Sequence, residues 1–181
     1  MMIDYEIRRL QQIKELYELI DELAMDLIRA SKSEIPIKDI REFVSLFGGD
    51  IKTDNSFRPI EKTGRDSFNI YISDWEFPKF RKFEIATKLG DLILHTNYLS
   101  DHEAYMDSKE IQFKPERGLV SNVEESKEFA YGLLMPREIF RDIVEQNTKD
   151  HIIKTSNVAD YFDVSISAAS TRGKRLGLIK D

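Results

Sequence analysis

The sequence predicts an α+β protein in which helices surround a small sheet and a short helical tail follows. Apolar residues recur every three to four positions over residues 4–31, 80–95 and 123–134, which is the spacing of one helix face. Apolar and polar residues alternate over residues 67–73, the period of a half-buried strand. The two periods together, separated by glycine and proline, indicate a mixed fold rather than a bundle or a sandwich.

The composition is that of a globular protein and excludes several other classes. The chain has 181 residues, of which 41% are hydrophobic and 33% charged, so it can bury one sizeable core. It has no cysteine, which excludes disulfides and thiolate metal sites, and no apolar run long enough to cross a bilayer. We therefore expect a cytoplasmic protein. The 27 basic and 33 acidic residues give a net charge of −6, which argues against nucleic-acid binding by the surface as a whole.

Residues 1–33 form the first predicted unit, a long helix over residues 4–31. Its apolar stripe consists of Leu10, Ile13, Tyr17, Ile20, Ala24 and Leu27. Packing of this stripe on the protein's own core is the interpretation that we favour, because such faces usually pack within the chain. The same three heptads can also form a coiled-coil seam and so a homodimer.

Residues 34–150 form the second predicted unit, which holds the core. Pro36 is predicted to open a helix that continues to Phe47 and ends at Gly48. Residues 97–122 are predicted to be mainly loop, with a candidate strand at 111–113. The remaining predicted elements are strands at 51–53 and 67–73 and helices at 80–95, 123–134 and from Pro136 to about residue 146.

Residues 83–95 resemble a metal-binding helix in which the two metal ligands and the general base are replaced by other residues. In a zinc peptidase, His-Glu-x-x-His places two imidazole ligands on one helix face, with the glutamate as general base. Here the first ligand position is Thr87, the base position is Lys88 and the second ligand position is Asp91. A hydroxyl, a cation and a carboxylate therefore stand where the two imidazoles and the base are needed.

The surrounding sequence resembles the ImmA/IrrE family of metallopeptidases. Residues 82–95 follow the family pattern Arg-Phe-Thr-x-Ala-His-Glu-x-Gly-His-x-x-x-His, apart from the ligand and base positions 87, 88 and 91. A second family pattern, Glu-Ala-Asn-x-Phe-Ala-x-x-Leu-Leu-Met-Pro, is matched by residues 125–136. The resemblance implies a minimal zincin-like metallopeptidase core, and it places Glu125 at the position of the third zinc ligand.

The replaced residues lead us to expect no metal, no cofactor and no ordinary peptidase activity. Thr87 is a poor zinc ligand, and Lys88 removes the base and repels a dication. We expect Lys88, Asp91 and Glu125 to form polar contacts in the vacated pocket, where a lysine–carboxylate pair is tolerated because each charge has a partner. An alternative metal site uses Asp91, His95 and Glu125, although the family often has a further histidine at the position of His95, which favours a structural role.

Residues 151–181 form the third predicted unit, two short helices that resemble a helix-turn-helix motif. Asp163 stands where the turn of that motif commonly has glycine, and aspartate tolerates the left-handed conformation. Arg172, Lys174 and Arg175 lie on or just after the second helix. They are candidates for contacts with a partner or with DNA phosphates, but the net charge favours a solvated helix end.

These features predict a catalytically inactive, metallopeptidase-like regulatory protein encoded on a prophage or other mobile element. The resemblance implies that it binds a protein partner such as a helix-turn-helix repressor, as an antirepressor or a co-regulator. One alternative is a metallopeptidase with an altered metal site that cleaves a repressor. Another is a DNA-binding transcription regulator that acts through the tail. No feature predicts a membrane partner.

Overall fold

The structure is a computed structural model that describes residues 2–54, 60–74, 77–116 and 118–179. The helices in these ranges are α1 (Met2–Ser31), α2 (Ile40–Ser45), α3 (Pro78–His95), α4 (His102–Asp107), α5 (Asn122–Leu134), α6 (Arg137–Gln146), α7 (Thr155–Phe162) and α8 (Ile166–Arg175). The strands are β1 (Gly49–Thr53), β2 (Ile60–Gly64), β3 (Ser67–Ile72), β4 (Thr148–Lys149) and β5 (Ile152–Ile153). The predicted α+β class is confirmed.

Helices α1, α3 and α5 pack together at the centre of the molecule, and two glycines set how closely. A Cβ atom on Gly90 of α3 would lie 3.0 Å from the Ser126 carbonyl oxygen and from the Phe129 ring of α5. A Cβ atom on Gly132 of α5 would lie 2.6 Å from a carboxylate oxygen of Asp21 on α1. A larger residue at either position would require these neighbouring atoms to shift.

The sheet has the order β1-β3-β2, with β1 parallel and β2 antiparallel to β3. The predicted alternation in β3 is present, because Phe68, Ile70 and Ile72 are buried. Strand β2 was not predicted, since Ile60 is its only strongly apolar residue. It lies at the sheet edge and pairs with β3 through a register that shifts between Lys62 and Gly64.

Helix α1 packs on the core over its C-terminal half only. Ile20, Ala24 and Leu27 are buried, as the favoured interpretation of the stripe predicts. Earlier in the helix Ile7 is 57% exposed and Leu10 is 65% exposed. The apolar stripe therefore continues beyond the part that the protein's own core covers.

Three local predictions need correction. Helix α2 begins at Ile40, not near Pro36, because the Asp39 carboxylate accepts hydrogen bonds from the next backbone N–H groups and caps it there. The segment predicted as loop contains α4, which Asp101 caps in the same way, and the structure has no strand at 111–113. The hairpin of β4 and β5 was not predicted, because two residues on each side carry no periodic signal.

The tail forms the predicted pair of helices and packs on the core. Asp163, between α7 and α8, has φ 53° and ψ 50°, the left-handed conformation that its place in the motif predicts. The Phe162 ring stacks on Phe140 of α6 with centroids 5.6 Å apart. The Lys82 ammonium of α3 donates to the Phe162 carbonyl oxygen at 3.1 Å and so caps the end of α7. None of the described helices is long and apolar enough to span a bilayer.

Candidate functional site

The residues that replace the zinc-peptidase motif lie between α3, α5 and the end of β3. We call Thr87, Lys88, Asp91 and Glu125, with their partners Glu84 and Ser126, the motif site. The hydroxyl of Thr87 donates to the Phe83 carbonyl oxygen at 2.9 Å, one turn back in the same helix. That bond occupies the hydroxyl within α3.

Lys88 is anchored on two sides. Its ammonium lies 2.7 Å from a carboxylate oxygen of Glu84, one helical turn earlier, and donates to the Tyr71 carbonyl oxygen of β3 at 2.5 Å. A glutamate four residues before a lysine is the favourable order for such a pair on a helix. Lys88 thus belongs to a lysine–carboxylate pair, as expected for this pocket, but its carboxylate is Glu84 rather than Asp91 or Glu125.

Asp91 is held by α5 instead. One of its carboxylate oxygens accepts a hydrogen bond from the buried Ser126 hydroxyl at 2.5 Å. Burial raises the pKa of Asp91 above its usual value of 3.8, and the Ser126 hydrogen bond opposes the rise. Asp91 thus links α3 to the first turns of α5.

His95 and Glu125 lie beside each other at the end of the site. His95 is buried, and its Nε2 donates to the Asn122 carbonyl oxygen at 3.1 Å, which gives it a structural role in joining α3 to α5. The same nitrogen lies 3.8 Å from a carboxylate oxygen of Glu125. Burial raises the pKa of Glu125, while the nearby His95 lowers it.

The sequence family is settled by a family model. The model of the IrrE N-terminal-like domain matches residues 52–174, which include the whole motif site. The chain belongs to this family. The match confirms the resemblance predicted from the two motifs.

One similar solved structure is a Mycobacterium tuberculosis transcriptional regulator. It has a TM-score of 0.56 and 16% sequence identity over 91% of this chain, so the likeness is one of fold. The alignment covers 51% of the regulator, so the chain spans about half of that protein's length. Among curated proteins no match is found.

The zinc ion that the family implies does not fit the residues present. Zinc prefers imidazole, thiolate or carboxylate ligands around one point. Thr87 offers a hydroxyl that is already bonded, and Lys88 places an ammonium at the position of the base. Asp91 and Glu125 have different partners, and within the described ranges no three His, Asp or Glu side chains are grouped as a metal site needs.

A second charged cluster shares α5 and joins four helices. We call it the arginine network: Arg137, Arg172 and Arg175 with Glu18, Asp21, Glu124 and Glu128. At its centre Arg172 is 0% exposed. Its guanidinium lies 2.8 Å from Asp21 of α1 and 2.9 Å from Glu128 of α5, and it donates to the Met135 carbonyl oxygen at 3.2 Å.

The network corrects the prediction for the tail cations. Arg172 was placed on a surface available to DNA or a partner, but it is buried and its donors are used within the chain. Arg175 is half-buried against Glu128 and Glu124, with its guanidinium over the Tyr131 ring. Lys174 is the exposed member of the three. Helix α8 therefore directs most of its positive charge inward.

Two residues of the motif site, Glu84 and Ser126, were not predicted from the sequence. Glu84 stands where the family pattern has threonine, four residues before Lys88, and this spacing was a sufficient signal for their ion pair. Ser126 gave no comparable signal, because its contact with Asp91 joins two helices that are 35 residues apart.

Proposed function

We propose that the chain is a pseudo-metallopeptidase: a catalytically inactive regulatory protein that acts in the cytoplasm by binding a protein partner. The expected partner is a helix-turn-helix repressor, and the expected role is that of antirepressor or co-regulator. One observation carries the proposal. The base position holds Lys88, whose ammonium is bound to Glu84 and to the Tyr71 carbonyl oxygen.

The chemistry of peptide hydrolysis supports this interpretation. Loss of a positioned acid or base alone lowers a rate by about 10²- to 10⁴-fold. A metal peptidase also depends on a metal-activated water, and the donor set at Thr87, Lys88 and Asp91 does not suit zinc. A lysine that is fixed by two partners cannot abstract a proton from that water.

The preserved scaffold supports a role in binding. The second family motif keeps its apolar residues, and Phe129, Leu133, Leu134 and Met135 are all buried. The fold is shared with a transcriptional regulator, which agrees with a role in gene regulation.

The direct test requires a candidate repressor, and a helix-turn-helix protein encoded beside this gene, where there is one, is the first to try. We expect it to co-purify intact with this protein and to leave its operator when this protein is added, both in the presence of a chelator. The matched control is Glu125→Gln, which removes the remaining family ligand while keeping the side-chain shape. Equal binding by the parent and by this variant is expected, because no metal takes part.

Two results would replace the proposal. If the repressor is cut at one bond, and chelator or Glu125→Gln abolishes the cut, the protein is a metallopeptidase with an altered site. If the protein alone retards a specific DNA duplex at physiological salt, it is a DNA-binding regulator. We expect no such retardation, because Arg172 and Arg175 are engaged within the arginine network.

A further inference from the structure

The N-terminal half of α1 carries an apolar face that the protein's own core leaves open. Ile7 and Leu10 are exposed, and Ile13 is half-buried. This face continues the stripe that packs on α5 further along the helix, where Ile20 and Ala24 are buried. The exposed part is thus an extension of an interface that already forms within the chain.

A groove runs along this face. It has a volume of about 420 Å³ and lies between the first half of α1 and the surface of α6 and α8. Leu10, Ile13 and Lys14 line one side of it, and Arg141 and Leu176 line the other. An added helix could place apolar side chains against α1 and polar ones against the arginines.

The residues along the exposed face are spaced symmetrically around Leu10, with identical apolar residues and opposite charges at matching distances. Ile7 and Ile13 lie three positions before and after it, and Glu6 and Lys14 lie four positions before and after it. With about 3.6 residues per turn, all five fall within one side of the helix. Glu6 and Lys14 are exposed, and neither forms an ion pair with another described residue.

Such a pattern is complementary to itself when two copies run antiparallel. A two-fold axis at Leu10 brings each Leu10 onto the other, each Ile7 onto Ile13 and each Glu6 onto Lys14. A parallel pair would instead place Glu6 against Glu6 and Lys14 against Lys14. A partner of unrelated sequence would have no need of this symmetry.

We propose that two copies of this chain associate through residues 6–14 of α1, antiparallel and centred on Leu10, with each helix lying along the groove of the other copy. The association is independent of the pseudo-metallopeptidase function. The contact is short, so we expect a reversible dimer whose amount rises with protein concentration.

Sedimentation over a concentration series, with a matched pair of variants, is the first test. Leu10→Asp should weaken the dimer at least about 10-fold, because it buries a charge at the two-fold axis. The control is Leu19→Asp. Leu19 is 63% exposed, much like Leu10 at 65%, but lies on the opposite side of α1. A protein that stays monomeric at every concentration, or that responds equally to both variants, overturns the proposal.

Charge exchange tests the antiparallel direction. Glu6→Lys and Lys14→Glu should each weaken the dimer, since each places like charges opposite one another. The double variant should restore it, because opposite charges face one another again. Absence of restoration contradicts the antiparallel arrangement.

Cross-linking tests the register, since the chain contains no cysteine of its own. Under mild oxidation Leu10→Cys should form a disulfide-linked dimer, and Leu19→Cys should remain mostly monomeric. Equal cross-linking of the two rejects the register. If Leu10→Asp abolishes repressor binding in a protein that never dimerises, the occupant of the groove is the repressor and the homodimer proposal fails.

Discussion

The motif site and the arginine network share α5, but their charged residues differ in burial and in the number of partners. In the motif site Lys88 pairs with one carboxylate, Glu84, and both side chains keep some exposure to solvent. In the arginine network Arg172 is buried between two carboxylates, Asp21 and Glu128, which are themselves buried. The first arrangement is local to one helix, and the second joins α8 to α1 and α5.

This difference indicates which charged residues of the chain tolerate substitution. A charge with one neighbouring partner can be replaced together with that partner, as Lys88 and Glu84 stand together where the family pattern has glutamate and threonine. A charge shared by three helices cannot be replaced singly, because its loss leaves buried partners uncompensated. The chain therefore keeps its scaffold while the motif site departs from the family.

Arg172→Met should produce the largest loss of stability. It leaves Asp21 and Glu128 buried without their central cation, so we expect the free energy of unfolding to fall by about 3–5 kcal/mol. The control is Arg141→Met, whose partner Glu138 is exposed, and which should cost under about 1 kcal/mol. Urea denaturation measures both. Equal losses would mean that the arginine network is no more important than a surface pair.

Lys88→Met should have an intermediate effect that a second substitution reverses. It removes a charge-assisted hydrogen bond to the Tyr71 carbonyl oxygen and the partner of Glu84, at a cost of about 1–3 kcal/mol. Adding Glu84→Thr should recover part of this loss, because the unpaired carboxylate is gone. If the two losses simply add in a double-mutant cycle, the pair is not coupled and the local arrangement described for the motif site is wrong.

Asp91→Asn should have the smallest effect, and that effect should depend on pH. Burial raises the pKa of Asp91 above 3.8, so between 3.8 and the raised value the folded state holds more protons than the unfolded state. The free energy of unfolding of the parent therefore decreases as pH rises through that window. Asparagine does not titrate, so the stability of the variant relative to the parent should increase from about pH 4 to pH 7. A constant difference across this range would contradict a raised pKa.

Much of the fold could be predicted because it depends on local pattern. The stripe of α1, the alternation in β3 and the left-handed Asp163 are each encoded by residues close in sequence. The start of α2 is set by its N-cap, Asp39, and this residue type before an apolar run is a signal that can be recognised in the sequence. Strand β2 has too little apolar content to be recognised, because its register is set by pairing with β3.

The motif site could be located from the sequence, but its contacts could not. The spacing placed Thr87, Lys88 and Asp91 on one helix, whereas the choice of partner for each depended on the approach of α5 and β3. The burial of Arg172 could not be predicted for the same reason. A basic cluster at a helix end usually lies in solvent, and only the carboxylates of α1 and α5 explain its burial.

Metal analysis after purification without chelator shows whether Lys88 and its neighbours leave the motif site unable to hold the family's zinc. The comparison is between the parent and a variant with Thr87→His, Lys88→Glu, Asp91→His and Glu84→Thr. The last change is needed because Glu84 would otherwise lie beside a second glutamate. We predict about one equivalent of zinc in the folded variant and almost none in the parent. One equivalent in the parent, lost on Asp91→Ala or Glu125→Ala, would contradict the account.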